Sequence, residues 1–471
     1  MAFLIGGANS VRGNYQVSNS LRWNNPSDDN LAITFGSAGN RRIFTISAWV
    51  KRGLMNDDHA LIGQGGTASG NPRGLLFFDN SLRFTNNTAG NSTDTDVNTN
   101  AKTRDPAAWY HVVAAVDTTQ STNTNRVKLY INGVHQTSLA TATYPDEDFE
   151  MNWNNAVLHT VGRYPNNDSY HMDGYISEFY FIDGTQYAAS DFGEYDGDSG
   201  IWIPKNAKGD LTFGDNGFYL EFKGTGTSQN SSGMGADTSG EDNHLAVNNL
   251  TAIDVTIDTP TNNFCTLNPL AAEAGFTFSE GNTTSASSTN NTTHGSTFAV
   301  TKGKWYWEMV GATHQDNFGS GIVDVDDYIR NIGYESVDSY YFNSNGDKIT
   351  GSSVTSLFGN LSNEGHLMYA LDLDNGRFSF GLEGTWSNGS ATQSTTFNTG
   401  YYDFESIPDH YYYIGRSQQT GSATIARFNF GNPPLSAMGN GHSDDNGYGN
   451  FKTAVPSGYY ALCSKNLAEY G

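Results

Sequence analysis

Residues 109–133 constrain the fold more than any other part of this chain. The apolar run His111–Asp117 ends on an acid and is followed by a polar loop. In Arg126–Ile131, apolar side chains then alternate with polar ones, which is the period-two pattern of a strand with one buried face. The Asn132-Gly133 pair that follows is typical of a type I′ turn, which needs positive φ at both central residues. The segment predicts antiparallel β structure.

Similar strand signals recur along the whole chain, whereas no segment shows a sustained helical stripe. The frequent glycines and aromatics and the low share of charged residues also suit an all-β protein rich in turns. A second hairpin is predicted around Asp374-Asn375-Gly376, and one short helix around Ala188–Phe192. The other clear strand signals are Leu31–Phe35, Ile43–Val50, Leu75–Phe78, Leu82–Thr85, Leu158–Arg163, Tyr175–Ile182, Tyr411–Ile414 and Ala426–Phe430.

At 471 residues the chain is too long for one ordinary core, so more than one domain is expected. The proline-flanked segment Thr259–Pro269 predicts the entry to a second unit. We expect an N-terminal arm at 1–20, a first β-sandwich at 21–187, an irregular bridging segment at 188–269 and a second β-sandwich at 270–471. Two polar stretches, Ala89–Asn100 and Gly281–Thr297, are predicted to be loops.

The net charge of −24 excludes nucleic acid as a partner, because the phosphate backbone repels such a surface and no basic cluster offsets it. No apolar run is long enough for a membrane span, so membrane insertion is not expected. The N-terminal MAFLIGGAN lacks a basic segment, and no secretory signal peptide is expected. Cys265 and Cys463 are expected to be free, buried thiols.

The first unit resembles the laminin-G-like/concanavalin-A-like superfamily. The resemblance is carried by FTISAWVKRG (Phe44–Gly53), WYHVVAAVD (Trp109–Asp117), VKLYINGV (Val127–Val134) and the closing stretch Val161–Gly184. It implies an antiparallel jelly-roll sandwich with the strands in the order of that family.

The second unit resembles a SPRY-type sandwich. Its marks are GKWYWEM (Gly303–Met309), ALDLDNGRFSF (Ala370–Phe380) with the following Gly-Thr-Trp, FNFGNPP (Phe428–Pro434) and VPSGYYAL (Val455–Leu462). Gly381-Leu382-Glu383 departs from the short insertion that the family usually carries before its Gly-Thr-Trp. The fold class is therefore all-β, with two jelly-roll sandwiches joined by the bridging segment.

The combination of these two units, with TPTNNFCTLNPL between them and GYYALCSKNL near the end, resembles structural proteins of tailed bacteriophages, especially those of marine bacteria. That resemblance implies a non-enzymatic virion protein, assembled in the host cytoplasm and exposed on the particle. As a tail-fibre, tail-tip or head-fibre component, it would act in host attachment through weak multivalent glycan binding. The alternative is a purely architectural capsid-decorating or tail-assembly protein, and a polysaccharide depolymerase is the third hypothesis.

Catalytic residues are not assigned. Glycoside hydrolysis requires two carboxylates on opposite sides of a cleft, and the sequence predicts no such pair. A calcium ion is the one cofactor that the sequence suggests. The acids Asp324, Asp326 and Asp327 offer oxygen ligands, although their spacing does not match a twelve-residue calcium loop.

Aromatic side chains in polar, loop-like surroundings are the candidates for glycan binding, because rings stack on the CH faces of sugars. They are Trp153, Tyr164, Tyr170 and Trp386. The expected partners are other virion proteins, further copies of this chain in a homo-oligomer, and a host surface glycan.

Overall fold

The computed structural model describes residues 15–55, 57–65, 73–87, 93–165, 170–311, 318–324, 340–343, 346–350, 353–358, 365–387, 393–397, 402–403, 410–418 and 423–471. The chain divides into two compact units, an N-terminal unit within Val11–Thr261 and a C-terminal unit within Asn262–Gly471. Among the described residues, strands dominate both units and one short α-helix occurs, which confirms the all-β fold class.

The N-terminal unit is a β-sandwich of two antiparallel sheets. Its strands are β1 (Ser20–Trp23), β2 (Asn30–Thr34), β3 (Ile43–Arg52), β4 (His59–Gln64), β5 (Gly74–Phe78), β6 (Ser81–Asn87), β7 (Thr93–Lys102), β8 (Trp109–Asp117), β9 (Val127–Ile131), β10 (Val134–His135), β11 (Leu139–Thr143), β12 (Leu158–Val161), β13 (Gly174–Asp183), β14 (Gly193–Tyr195), β15 (Trp202–Pro204), β16 (Phe218–Leu220), β17 (Ala246–Asn248) and β18 (Val255–Thr256). Short 3₁₀ helices lie at Asn25–Ser27, Asn123–Asn125, Ala189–Asp191, Lys208–Asp210 and Ala252–Asp254.

The first sheet has the strand order β10-β9-β8-β3-β13-β1-β18, with β16 also paired to β13. The second has the order β11-β7-β6-β5-β4-β12-β2-β17. The core lies between the two sheets, where side chains such as Phe44, Phe84 and Phe181 are fully buried. The Asn132-Gly133 turn is confirmed, because both residues have positive φ (48° and 80°) between β9 and β10.

The outer face of the first sheet is also covered. Residues 188–213 lie across it and, with Tyr219 of β16, form a second apolar cluster, in which Phe192, Phe213 and Tyr219 pack on Val113 and Tyr180. Because β8 is buried on both faces, its sequence is a continuous apolar run rather than an alternating one. The segment expected to bridge two domains therefore belongs, up to Thr261, to the N-terminal unit.

The C-terminal unit has two further sheets. Its strands are β19 (Leu267–Ala272), β20 (Phe276–Ser279), β21 (Thr284–Ser287), β22 (Thr292–Val300), β23 (Lys304–Gly311), β24 (Phe318–Asp324), β25 (Tyr340–Asn343), β26 (Asp347–Thr350), β27 (Ser353–Ser356), β28 (His366–Asp372), β29 (Arg377–Leu382), β30 (Thr385–Ser387), β31 (Gln393–Ser394), β32 (Tyr402–Asp403), β33 (Tyr412–Gln418), β34 (Thr424–Asn429) and β35 (Tyr460–Ala461). A 3₁₀ helix at Ser436–Met438 and the helix α1 (Ser464–Tyr470) complete the elements.

One sheet of this unit runs β19-β22-β33-β24-β25-β26-β27. The other runs β20-β21-β34-β23-β28-β29-β30-β31, with β32 paired to β29 and β35 to β23. The predicted hairpin around Asp374-Asn375-Gly376 joins β28 to β29, and Gly376 has a φ of 62°. Cys265 and Cys463 are both buried thiols that form no disulfide, as expected.

Two of the predicted loops are strands. Within Ala89–Asn100, the structure places β7 from Thr93 onward, with Thr95, Val97 and Thr99 buried and the acids and amides between them facing out. Within Gly281–Thr297 it places β21 and the start of β22. Both expectations were wrong because these strands bury hydroxyl-bearing side chains, so their period-two pattern is not an apolar one.

A buried ion pair fixes the end of the N-terminal unit to its first sheet. Lys51 Nζ lies 2.8 Å from Asp258 Oδ2, with the two side chains 1% and 0% exposed. Trp109 Nε1 donates a hydrogen bond to the other carboxylate oxygen at 3.1 Å. Removing one partner of such a pair leaves the other charge buried and uncompensated.

We therefore expect Lys51→Met to lower the free energy of unfolding of the N-terminal unit by about 3–5 kcal/mol, measured by urea denaturation. Lys102→Met is the matched control, because the Lys102–Asp79 pair at 2.9 Å is exposed to solvent. The control should unfold close to wild type. Equal urea midpoints for the two variants would contradict the structural role given to the buried pair.

Candidate functional site

The hairpin of β14 and β15 carries an indole ring onto the outer face of the first sheet. The Trp202 ring lies close to Gly133, in the β9–β10 turn, and to Gly193, at the start of β14. A Cβ at either glycine would come within 2.5 Å or 2.7 Å of a ring carbon. Glycine at both positions is what allows the ring to sit this close to the backbone.

The buried imidazole of His111 in β8 orients this indole. Trp202 Nε1 donates a hydrogen bond to His111 Nδ1 at 3.1 Å, and His111 Nε2 lies 2.9 Å from Ser47 Oγ. Burial lowers the pKa of His111 to about 3, so the ring is neutral at physiological pH. Because Nδ1 accepts from the indole, Nε2 carries the proton and donates it to the Ser47 hydroxyl.

A cavity of about 360 Å³ opens beside Trp202 and lies within the size range of small-ligand sites. We call it the aromatic cavity. Tyr130 and Trp202 contribute rings to its lining, and Tyr195, which is 56% exposed, stands edge-on to Trp202 with ring centroids 4.9 Å apart. Ser190, Glu194 and Lys205 supply polar groups, with further lining from Gly133, Ala188, Ala189 and Gly193. Rings beside a few polar groups suit a ligand that has both CH faces and hydroxyls.

Trp153, one of the predicted ligand-binding residues, lies inside the core. It is fully buried, stacks on Phe84 with ring centroids 5.4 Å apart, and donates from Nε1 to the Thr85 carbonyl oxygen at 3.0 Å. Its buried ring offers no face to a ligand, because an indole in a polar stretch of sequence can turn inward when its N–H finds a backbone acceptor.

The other three predicted rings lie apart from the aromatic cavity. Trp386 is 4% exposed and packs on Tyr306, and Tyr164 is 3% exposed, so neither ring offers a free face. Tyr170 is partly exposed and meets Tyr164 edge-on at 6.3 Å.

The calcium candidates are only partly described. Asp324, at the end of β24, is 3% exposed and pairs with the imidazole of His410, whereas Asp326 and Asp327 lie outside the described residues. Within the described ranges, no three of the His, Cys, Asp and Glu side chains come together as a metal site. Calcium binding stays a prediction.

Two buried carboxylates serve as structural anchors, one in each unit. Glu178 Oε2 accepts hydrogen bonds from the hydroxyls of Tyr15, Tyr180 and Tyr219 at 2.9, 3.1 and 2.7 Å, and burial raises the pKa of Glu178. Glu308 is also fully buried, and it accepts from the hydroxyl of Tyr306 at 2.9 Å and from the backbone N–H groups of Lys452 and Thr453 at 3.0 and 2.9 Å. Because three phenol hydroxyls donate to it, the Glu178 carboxylate holds these three tyrosine side chains together.

Sequence comparison supports the class of the first unit. Residues 25–189, within the N-terminal unit, match the family model described as the concanavalin A-like lectin/glucanases superfamily. No curated protein matches the chain. Among the described residues, no helix has the length and apolar character needed to cross a membrane.

Solved structures share only local likeness. The stonustoxin structure is 20% identical over 35% of this chain, with a TM-score of 0.26, and this chain spans 27% of it. The SPRY domain of human HERC1 is 12% identical over 34% of this chain and 96% of its own length, with a TM-score of 0.28. The TRIM65 PSpry domain is 13% identical over 35% of this chain and 89% of its own length, with a TM-score of 0.26.

The neutral His111 makes the stability of the N-terminal unit depend on pH. The unfolded chain takes up a proton near the ordinary pKa of 6.5, whereas the folded His111 resists protonation until about pH 3. Its contribution to stability is therefore complete above pH 6.5 and is lost as the pH falls towards 3. We expect His111→Gln, which keeps an acceptor for Trp202, to reduce this loss by about 1.4 kcal/mol per pH unit.

Urea denaturation at pH 7, 6, 5 and 4 measures the effect. His135→Gln is the control, because His135 is exposed on β10, two strands away from β8 in the same sheet. This variant should keep the steep acid dependence of the wild type. If His111→Gln and wild type lose stability in parallel as the pH falls, the assignment of a neutral, buried His111 fails.

Proposed function

We propose that the chain is a non-enzymatic glycan-binding protein of a virion surface, and that the aromatic cavity is its glycan site. The observation that carries the proposal is the Trp202 ring, which packs close to two glycines and is hydrogen-bonded to a buried neutral histidine. A ring fixed in this way needs no reorganisation when a sugar stacks beside it, so less binding energy is lost in ordering the site.

The chemistry of the cavity supports binding rather than hydrolysis, whereas the superfamily match is compatible with both. The match to a lectin/glucanase superfamily covers residues 25–189. This range includes Tyr130 and some of the other residues that line the aromatic cavity. Glu194 is the one carboxylate among the described lining residues. Hydrolysis by the usual route needs two carboxylates on either side of the glycosidic bond.

The virion assignment rests on the sequence resemblance to phage structural proteins. Under this proposal the chain lies on the particle surface, beside other virion proteins and in several copies. Contacts between sugars and a shallow cavity are individually weak, and many copies on one particle multiply them into firm attachment. A tail-fibre, tail-tip or head-fibre position fits this mode of action.

A purely architectural role is the second candidate, favoured by one observation. β27 is the outermost described strand of its sheet, all four of its residues are exposed, and Val354 is 57% exposed. An exposed strand edge of this kind can pair with another protein chain. Tight binding to purified capsid or tail proteins, without retention of host cells, would support this role.

Tyr195→Ala tests the glycan site, because this ring is exposed and contributes little to the core. We expect binding to host surface polysaccharide to weaken about fivefold, or about 1 kcal/mol, with the melting temperature unchanged. Titration of soluble polysaccharide measures the affinity, and retention of host cells on protein-coated beads measures attachment.

Tyr170→Ala is the matched control, since Tyr170 is a partly exposed tyrosine of the same unit outside the aromatic cavity. It should bind as the wild type does. Loss of binding by Tyr170→Ala with retention by Tyr195→Ala would place the glycan site elsewhere and contradict the proposal.

A further inference from the structure

A second cavity of the N-terminal unit lies on the second sheet, where β12, β2 and β17 are neighbours. Its volume is about 420 Å³. Ala32, Leu158 and Pro165 give it short apolar surfaces, and Asn248, Asn249 and Arg163 give it polar groups, with Asn30 and Thr160 beside them. None of its described lining residues is aromatic, so these residues would hold a ligand by hydrogen bonds rather than by stacking. We call it the amide cavity.

The side-chain amides of this cavity are already oriented. Asn248 Nδ2 donates to Asn30 Oδ1 at 3.0 Å, and Asn249 Nδ2 donates to the carbonyl oxygens of Ser27 and Asp28 at 2.9 and 3.2 Å. These bonds use the amide nitrogens and fix the plane of each side chain. The Oδ1 atoms of Asn248 and Asn249, both on exposed residues, remain as acceptors for a ligand's hydroxyls.

The charge in the cavity is balanced. Arg163 Nη1 lies 3.1 Å from Asp28 Oδ1, and the Arg163 side chain is 21% exposed. Its guanidinium can therefore donate to a hydroxyl without leaving an uncompensated positive charge. Together with the net charge of −24, this pairing disfavours an anionic ligand.

We propose that the amide cavity is a second saccharide site, selective for neutral sugars and separate from the aromatic cavity. This inference rests on the glycan-binding function proposed above and extends it to two sites in one unit. Amide oxygens accept from sugar hydroxyls, the guanidinium donates to them, and the apolar side chains meet a CH face. Two sites in one unit would raise the avidity for a polysaccharide long enough to reach both.

The experiment is a titration of the full-length chain, followed by ¹⁵N NMR of side-chain and backbone resonances. The probes are the neutral methyl glycosides of glucose, galactose and mannose, with glucuronate as the anionic comparison. We expect at least one neutral glycoside to shift the side-chain NH₂ resonances of Asn248 and Asn249, and glucuronate to bind more weakly. Binding of glucuronate at equal or higher affinity would overturn the assignment to neutral sugars.

Two variants test the amide cavity in different ways, one by filling it and the other by removing a single hydrogen-bonding group. Ala32→Phe fills the cavity from a surface position of β2 and should abolish the shifts at Asn248 and Asn249. Asn248→Ala removes one hydrogen-bonding group and should weaken binding about two- to tenfold. Ala142→Phe, on the exposed strand β11 of the same sheet, is the matched control and should bind as the wild type does.

The outcomes distinguish the two sites. Loss of binding at the amide cavity in Ala32→Phe, with shifts around Trp202 retained, supports the inference. If Ala32→Phe binds as the wild type does, or if no neutral glycoside shifts Asn248 and Asn249, the inference fails, whereas the proposed function stands if Trp202 still responds. If only the amide cavity responds, the aromatic cavity is not a glycan site.

Discussion

The hydrogen bonds of His111 are the constraint on which the aromatic cavity depends. Its strand, β8, is buried on both faces, so each polar group there needs a partner inside the protein. Ser47 satisfies one ring nitrogen, and the other accepts the indole N–H of Trp202, which β15 brings across the sheet. Because the buried His111 ring needs a hydrogen-bonding partner, the Trp202 indole that the proposed function uses is held in place.

Much of the fold could be predicted from the sequence where burial involves apolar side chains on alternating positions. β9 and the Asn132-Gly133 turn follow directly from that pattern. β7 and β22 could not be predicted in this way, because threonine, serine and histidine occupy their buried faces. In β22 the His294 imidazole contacts the Ser285 hydroxyl at 2.9 Å, so polar side chains satisfy one another within the sandwich.

The candidate site was harder to predict than the fold. Trp153 and Trp202 both lie in polar stretches of sequence, yet one is a core residue and the other lines a cavity. Local composition does not separate the two cases, because the difference is set by contacts with residues far apart in the chain. The nearest signal was the strand-like IWIP at 201–204 within the presumed bridging segment, but its partner His111 lies about ninety residues earlier.

The indole N–H resonance of Trp202 in a titration with host polysaccharide tests the central claim most directly. The chain has eight tryptophans, and Trp23, Trp305 and Trp307 are fully buried, so they serve as internal references in the same spectrum. The account predicts a saturable shift of the Trp202 signal, assigned with Trp202→Phe, while the buried indoles do not move. Saturable binding of the polysaccharide with an unchanged Trp202 signal would contradict it.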